Sequence, residues 1–228
     1  MKKLCVASNM YNEIDQLPEW YDFVKEIADG GILVVDSGST DGTQEWFEDH
    51  GVIIFHDDII RREGYGPARN QLRRECKKYF PESHWCLYLD ADERILPCDF
   101  HKLKWYKDYL INDYDVVALP RIDWIDKEMT KMAKDWVTNP DWQARMSRLN
   151  SPVVYIRKLH EQITGFKAIF TSLNLPKINH FHRSSKDKRD LVGKLCAKLH
   201  AEDSEYGHTY PKHHKEEMYY EQYKKEGL

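Results

Sequence analysis

Several large protein classes are excluded by what this sequence lacks. No run approaches the roughly 18 to 20 apolar residues that a membrane span requires, and only four apolar residues, Leu4 to Ala7, follow the lysines of the opening MKKLCVASNM. Membrane insertion and secretion are both disfavoured. Cysteine is sparse: Cys5, Cys76, Cys86, Cys98 and Cys196 are odd in number and widely spread, without the paired spacings of a zinc site or the density of a disulfide scaffold. They read as reduced thiols in a cytoplasmic setting, with Cys5 and Cys86 as small buried hydrophobes inside apolar strands. Excess positive charge is absent. The 34 Lys and Arg against 38 Asp and Glu leave a net charge of −4, so no global field draws the chain to nucleic acid or strongly to anionic lipid. With 11 Gly and 9 Pro among 228 residues, collagen-like and low-complexity classes fall away. A content of 41% hydrophobic residues then suffices for one sizeable core with elaborations.

What is present is an alternation of short β-type runs with amphipathic helical stretches, the pattern of a mostly parallel sheet with helices on its faces. LCVAS at 4–8 reads as a first strand, and Trp20, Phe23, Val24 and Ile27 fall at helical spacing in a helix over 17–27 ended by Gly30 and Gly31. ILVVD at 32–36 is a second strand, running into SGSTDGT, a loop that feeds a helix capped near Thr40 or Asp41. VIIF at 52–55 is a third. A polar loop with Gly64 and Gly66 leads to a basic helix over 67–79, and WCLYL at 85–89 is an apolar, central strand ending at Asp90. Beyond Pro97 the sequence predicts a helix over 99–112, a strand at 116–120 and a polar, aromatic loop or lid to about 142. Shorter strands follow at 143–149, 153–158, 167–173 and 177–182, and Lys- and Glu-rich helical material closes the chain from about 186.

Ligands of open α/β sheets bind beyond the carboxyl ends of the strands, and three strands here end in polar clusters. The first offers Ser8, Asn9, Asn12 and Glu13; the second Asp36, Ser37 and Ser39; the fourth Asp90, Asp92 and Glu93. In an extended chain residues two apart share a face, so Asp90 and Asp92 are expected to aim together at the crevice. Two carboxylates that close repel unless a cation lies near, and hard oxygen ligands suit Mg²⁺ or Mn²⁺ completed by substrate phosphates.

The motifs NMYNE at 9–13, VVDSGSTDGT at 34–43, GPARN at 66–70, YLDADERI at 88–95, LHE at 159–161 and INHFH at 178–182 resemble those of the nucleotide-sugar-dependent glycosyltransferases of the GT-A fold, specifically glycosyltransferase family 2. Within that family they look most like lipopolysaccharide-core and related polysaccharide transferases. The resemblance spans about residues 3–182. It implies a Rossmann-like mixed, mostly parallel sheet flanked by helices, with a catalytic domain over 1–183 and a C-terminal helical extension over 184–228. It also implies an inverting transfer of sugar from a UDP-sugar to a hydroxyl of a glycan or lipid-linked glycan. Asp36 then matches the acceptor of the uracil imide, and Ser8, Asn9, Asn12 and Glu13 line the base and ribose pocket. Arg69 matches the arginine near the diphosphate, Asp90 with Ala91 lies by the ribose or metal, Asp92 is the direct metal ligand and His180 a further one, with His182 as a substitute. Glu161 matches the catalytic base, although His160 and Gln162 around it depart from the commoner family pattern.

The residue types suit that chemistry. A divalent ion offsets charge that builds on a departing diphosphate, and a carboxylate opposite takes the acceptor's proton as its hydroxyl attacks, in a single displacement like that of inverting glycosidases. Of the basic run Arg61, Arg62, Arg69, Arg73, Arg74, Lys77 and Lys78, only Arg69 is assigned to the site, and the rest reads as a solvated helix face. Trp124, Trp136 and Trp142 are candidate sugar platforms. His208, His213 and His214 sit in a charged tail, where solvent exposure is expected. Leu191, Leu195 and Leu199 mark one amphipathic helix, packing on the domain or on a second copy of the chain, with at most peripheral membrane contact. Three alternatives compete. A nucleotidyltransferase lacks its glycine-rich signature here, an aspartate-nucleophile phosphatase lacks a complete DxDGT, and a non-catalytic sugar- or nucleotide-binding module would not need the candidate base.

Overall fold

Runs of β-branched and apolar residues that are buried on both faces can lie only inside a sheet covered by helices. The central run, β1 (Lys3–Met10), has five consecutive buried residues and pairs in parallel with β2 (Gly31–Asp36) on one side and β4 (Ser83–Tyr88) on the other. The computed structural model describes residues 1–126, 128–133, 140–181 and 186–203. Trp136, His182, His208, His213, His214 and the segment 134–139 of the expected lid lie outside them. Two compact units are distinguished, residues 1–182 and 183–228.

The first unit holds a mixed sheet. With β3 (Ile53–His56), β5 (Glu93–Arg94), β6 (Val116–Trp124), β7 (Asp141–Arg148) and β11 (Ile178–Phe181), its order is β3-β2-β1-β4-β7-β6-β11-β5, and β10 (Ile169–Thr171) pairs with β6. β7 runs antiparallel between β4 and β6. β11 lies parallel to β6 and antiparallel to the short β5, so the latest strand of the sheet comes to rest beside the turn that follows β4. A small hairpin of β8 (Val154–Ile156) and β9 (Gln162–Thr164) stands apart.

Helices cover the sheet with the faces their spacing dictates. α1 (Leu17–Ile27) buries Leu17, Trp20, Phe23, Val24 and Ile27, joining a core with Phe47, Trp85 and Leu103. α2 (Thr43–Asp49) and α5 (Pro97–Tyr109) lie on the same core, and Trp85 donates its indole N–H to Lys107 O at 2.8 Å. Fully burying one such side chain contributes about 1.5–3 kcal/mol. On the other face α4 (Tyr65–Tyr79) buries Leu72 and Cys76 against Cys5, Cys86 and Tyr88. These three thiols are free and enclosed, as Cys5 and Cys86 were expected to be.

Four details differ from the sequence reading. α3 (Ile59–Glu63) replaces part of the polar loop, and β5 and β9 were too short to show a period. α2 begins at Thr43 after Gly42, which takes a left-handed φ of 97°, while Asp41 Oδ1 accepts the Thr43 N–H at 3.0 Å. Arg73 is no solvated residue. It is buried and donates to Ser147 Oγ and to the carbonyls of Arg148, Leu149 and Ser151 at 2.8–3.1 Å, tying α4 to the end of β7. In the second unit α6 (Lys186–Asp203) leaves Leu191 exposed and buries Leu199. No helix among the described residues is long and apolar enough to cross a membrane.

Candidate active site

At the carboxyl ends of β1 and β2, two loops are laced into one floor. Asn12, at φ 51°, donates its N–H to Ser39 Oγ and accepts the Thr40 N–H on Oδ1, both at 2.8 Å. Glu13 N–H reaches Thr43 Oγ1 at 2.9 Å and Ile14 N–H reaches Asp41 Oδ2 at 3.0 Å. Asp36 organises this floor from beneath. It is wholly buried, its Oδ1 accepts from Gly38 N–H, Ser39 N–H and Gln44 Nε2, and its Oδ2 accepts from Ser39 Oγ at 2.5 Å. These bonds give Asp36 a loop-ordering part at the end of β2. Ser8 is likewise fully buried within the strand, and Asn9 and Glu13 are half-buried at the floor.

The acids after β4 part company. β4 ends at Tyr88, and Asp90 to Glu93 form a turn in which Glu93 N–H donates to Asp90 O at 3.0 Å. The backbone here is a turn and not an extended strand, and it brings Arg69 to Asp90 and His180 to Asp92. Asp90 takes Arg69 Nη2 at 3.0 and 3.3 Å and Arg145 Nη2 at 2.9 Å. It therefore sits between two arginines, with the charges of Asp92 and His180 also acting on it, and Ala91 between the acids is buried. Glu93 is enclosed, accepting from the Asp90 N–H at 3.0 Å and from Arg145 Nη2 at 2.8 Å. Burial first, and the Asp90 charge second, push its carboxyl up to about 8 against the pull of Arg121. The Asp90 carboxyl is also raised, by burial first and by Asp92 and Glu161, with Arg69 opposing.

Asp92 and His180 do meet. β11 brings His180 opposite Glu93 and in register with Asp123 of β6, and Phe181 N–H donates to Asp92 O at 2.9 Å. His180 Nε2 lies 3.2 Å from Asp92 Oδ2, and Nδ1 donates to Asp123 Oδ1 at 2.5 Å. Burial alone would lower this imidazole, but Asp92 and the hydrogen bond to Asp123 raise it to about 10. A doubly protonated ring thus holds positive charge between two carboxylates. Neighbouring ligands of an octahedral ion at about 2.1 Å stand about 3 Å apart, so the 3.2 Å spacing of Asp92 Oδ2 and His180 Nε2 fits Mn²⁺ or Mg²⁺ in place of the Nε2 proton.

Glu161 arrives from a loop. It follows β8, where Arg157 and His160 adopt left-handed φ values of 76° and 51°, and it accepts Arg69 Nε on Oε1 at 3.2 Å with Arg145 Nη1 at 4.0 Å. The loop is docked on the start of α4: Tyr65 N–H donates to Lys158 O at 2.7 Å and Gly66 N–H to Arg157 O at 3.1 Å. Glycine is required there, because a Cβ at Gly66 would lie 2.4 Å from Arg157 O and one at Gly64 2.5 Å from Lys158 Cα. Arg69, in the second turn of α4, thus joins Asp90 to Glu161, and its guanidinium is held charged by both acids against the cost of burial.

Sequence reasoning had no role for Arg145, Arg121 or Asp123. Each is a charged residue inside a strand, a signal visible in DWQARMSR and VVALPRIDW, but only the sheet order brings them to the turn after β4. Trp124 hydrogen-bonds Asn179 Oδ1 through its indole at 2.9 Å, and Trp142 is 40% exposed.

A family model described as Glycosyl transferase family 2 matches residues 5–174. The glycosyltransferase AglJ of Haloferax volcanii is 29% identical over 114 residues, half of this chain and 34% of the relative, so the chain spans about a third of that curated protein. Among solved structures, S. aureus TarS superposes with a TM-score of 0.53 at 17% identity, over 86% of this chain and 39% of TarS. Glucosyl-3-phosphoglycerate synthase from Mycobacterium tuberculosis, solved with Mn²⁺, UDP and glucosyl-3-phosphoglycerate, gives 0.53 at 14% identity over 88% of this chain and 78% of that one. The fold is GT-A-like, a mixed α/β sheet flanked by helices. The match gives no support to the nucleotidyltransferase or the phosphatase.

Proposed function

The chain belongs to glycosyl transferase family 2, and from that premise we propose that it is a glycosyltransferase that moves a sugar from a UDP-sugar to a hydroxyl of a glycan or lipid-linked glycan, with inversion at the anomeric carbon. One observation carries the reading: Asp92 Oδ2 and His180 Nε2 lie 3.2 Å apart beside the turn after β4, while Arg69 links that turn to Glu161. The synthase of similar fold was solved with Mn²⁺ and UDP, which supports a divalent ion and a uridine nucleotide as the ligands proposed here.

Asp92 and His180 would hold Mn²⁺ or Mg²⁺, which when bound would offset the negative charge of a leaving diphosphate. The floor formed by residues 9–14 and 36–43 receives the nucleoside, with Asp36 keeping the loop in shape and Asn12 and Glu13 toward the ligand. Glu161 accepts the proton of the acceptor hydroxyl through a carboxylate oxygen as that hydroxyl attacks. Arg69 and Arg145 fix the direction of Glu161 and leave Asp90 neutralised behind it.

Calorimetric titration of UDP with Mn²⁺, then with chelator, tests the donor site without knowledge of the acceptor. UDP binding that needs the metal is expected. Equal binding with chelator overturns the metal assignment, and no binding in either condition overturns the uridine assignment.

A further inference from the structure

One residue beyond the proposed ligands themselves faces the metal position. Asp123 stands behind His180: the two are paired in register on the adjacent parallel strands β6 and β11, so their side chains leave the same face of the sheet. Asp123 is 5% exposed, and its Oδ1 takes His180 Nδ1 at 2.5 Å, with Nε2 directed at Asp92 Oδ2. Arg121 also faces Asp123, its Nε 3.6 Å from the other oxygen, within ion-pair but beyond hydrogen-bond distance, while Arg121 Nη2 donates to Asp141 Oδ2 at 2.7 Å. Backbone bonds fix the same point, Ala133 N–H donating to Asp123 O at 2.9 Å. A chain of contacts, Asp141 to Arg121 to Asp123 to His180 to Asp92, thus runs along the floor of the sheet toward the metal position.

We propose that Asp123 is a positioning residue of the metal site: by accepting the Nδ1 proton it holds the His180 ring in one plane and one tautomer, with the Nε2 lone pair turned to the ion beside Asp92. A metal-bound imidazole keeps a proton on its other nitrogen, and a carboxylate or carbonyl that takes that proton sets ring orientation and raises ligand basicity; losing such a partner weakens metal binding about 10- to 100-fold. The inference rests on the reading of Asp92 and His180 as metal ligands. It predicts that what matters at position 123 is an acceptor oxygen, with the negative charge secondary.

Asp123→Asn and Asp123→Leu separate these contributions, being alike in shape and differing in the acceptor. With Mn²⁺ as the probe, followed by calorimetry and by loss of the free-ion paramagnetic resonance signal, Asp123→Leu should bind about 10- to 100-fold more weakly than the parent. Asp123→Asn should stay within a few-fold, and UDP binding in chelator should be equal in all three proteins. Wild-type strength in Asp123→Leu overturns the proposal, as does an Asp123→Asn protein as weak as Asp123→Leu. If the parent takes up no Mn²⁺, the metal reading itself falls. A second measurement needs no variant: nitrogen-15 spectra of the Mg²⁺-loaded parent should show His180 with its proton on Nδ1, and a proton on Nε2 overturns the proposal even if Asp123→Leu fails to fold.

Discussion

The two halves of the candidate site are built in opposite ways. Asp92, His180 and Asp123 lie on or beside strands, where β11 is paired on both edges and registers His180 against its neighbours. Glu161 lies on a loop that leaves β8 through two left-handed residues and is held by backbone bonds to Tyr65 and Gly66. A metal position tolerates little error in ligand distance, and paired strands supply that rigidity. A base must meet a variable acceptor hydroxyl, and a docked loop can be re-aimed without repacking the sheet. Arg69 and Arg145 connect the halves, each contacting Asp90 and Glu161.

Breaking one half should leave the other intact. The largest effect is expected from Glu161→Gln, which should lower turnover about 10²- to 10⁴-fold while Mn²⁺-supported UDP binding persists; an active variant removes Glu161 from the base role. Asp92→Asn should do the reverse, losing metal-supported UDP binding by more than the roughly 10- to 100-fold that a ligand's outer partner is worth. Calorimetry with and without Mn²⁺ reads this, and unchanged binding would shift the ion elsewhere. Gly66→Ala sharpens the comparison, because its Cβ would press on Arg157 O and displace the loop by a fraction of an ångström to an ångström. Misplacement on that scale can cost about 10²-fold in turnover, with Mn²⁺ affinity unaltered; equal turnover would mean that the dock does not aim Glu161.

The smallest effect concerns the nucleoside floor. Asp41, partly buried, accepts from Ile14 and Thr43 N–H, and against the burial penalty these bonds and the Thr43 hydroxyl hold its carboxyl below the usual range. A carboxyl lowered on folding stabilises above its unfolded value near 3.9 and loses that contribution as pH falls through the lower folded value. Asp41→Ala should cost about 0.5–2 kcal/mol at neutral pH and flatten the acid limb of the stability profile. Denaturation midpoints between pH 3 and 7 check this, and an unchanged acid limb would mean that Asp41 does not order the floor.

Much of the fold could be read along the chain because its signals are local. Leu17 to Ile27 carry a helical period, β1 and β4 are apolar on both faces, and all three polar clusters occur where strands end. Asp92 and His180 were legible as residue types. Which partners Asp90 and Asp92 take was not legible, because β4 stops at Tyr88 and the turn that follows brings Arg69 and Arg145 to one acid and His180 to the other. Arg145 and Asp123 were missed for a different reason: a charge inside a strand is silent until its neighbour is known, and β7 and β6 meet the turn after β4 only through the order of the sheet.

The sequence by itself determined the alternation of elements, the family motifs and the chemical inventory of the site, since hydrophobic period, turn residues and ligand types are properties of short stretches. Tertiary structure alone decided which acids share a partner, that Asp36 is enclosed by its own loop, and that Asp123 stands behind His180. Two of these contacts, His180 with Asp123 and Arg69 with Glu161, join residues 57 and 92 positions apart, and no local periodicity encodes a distance across a sheet.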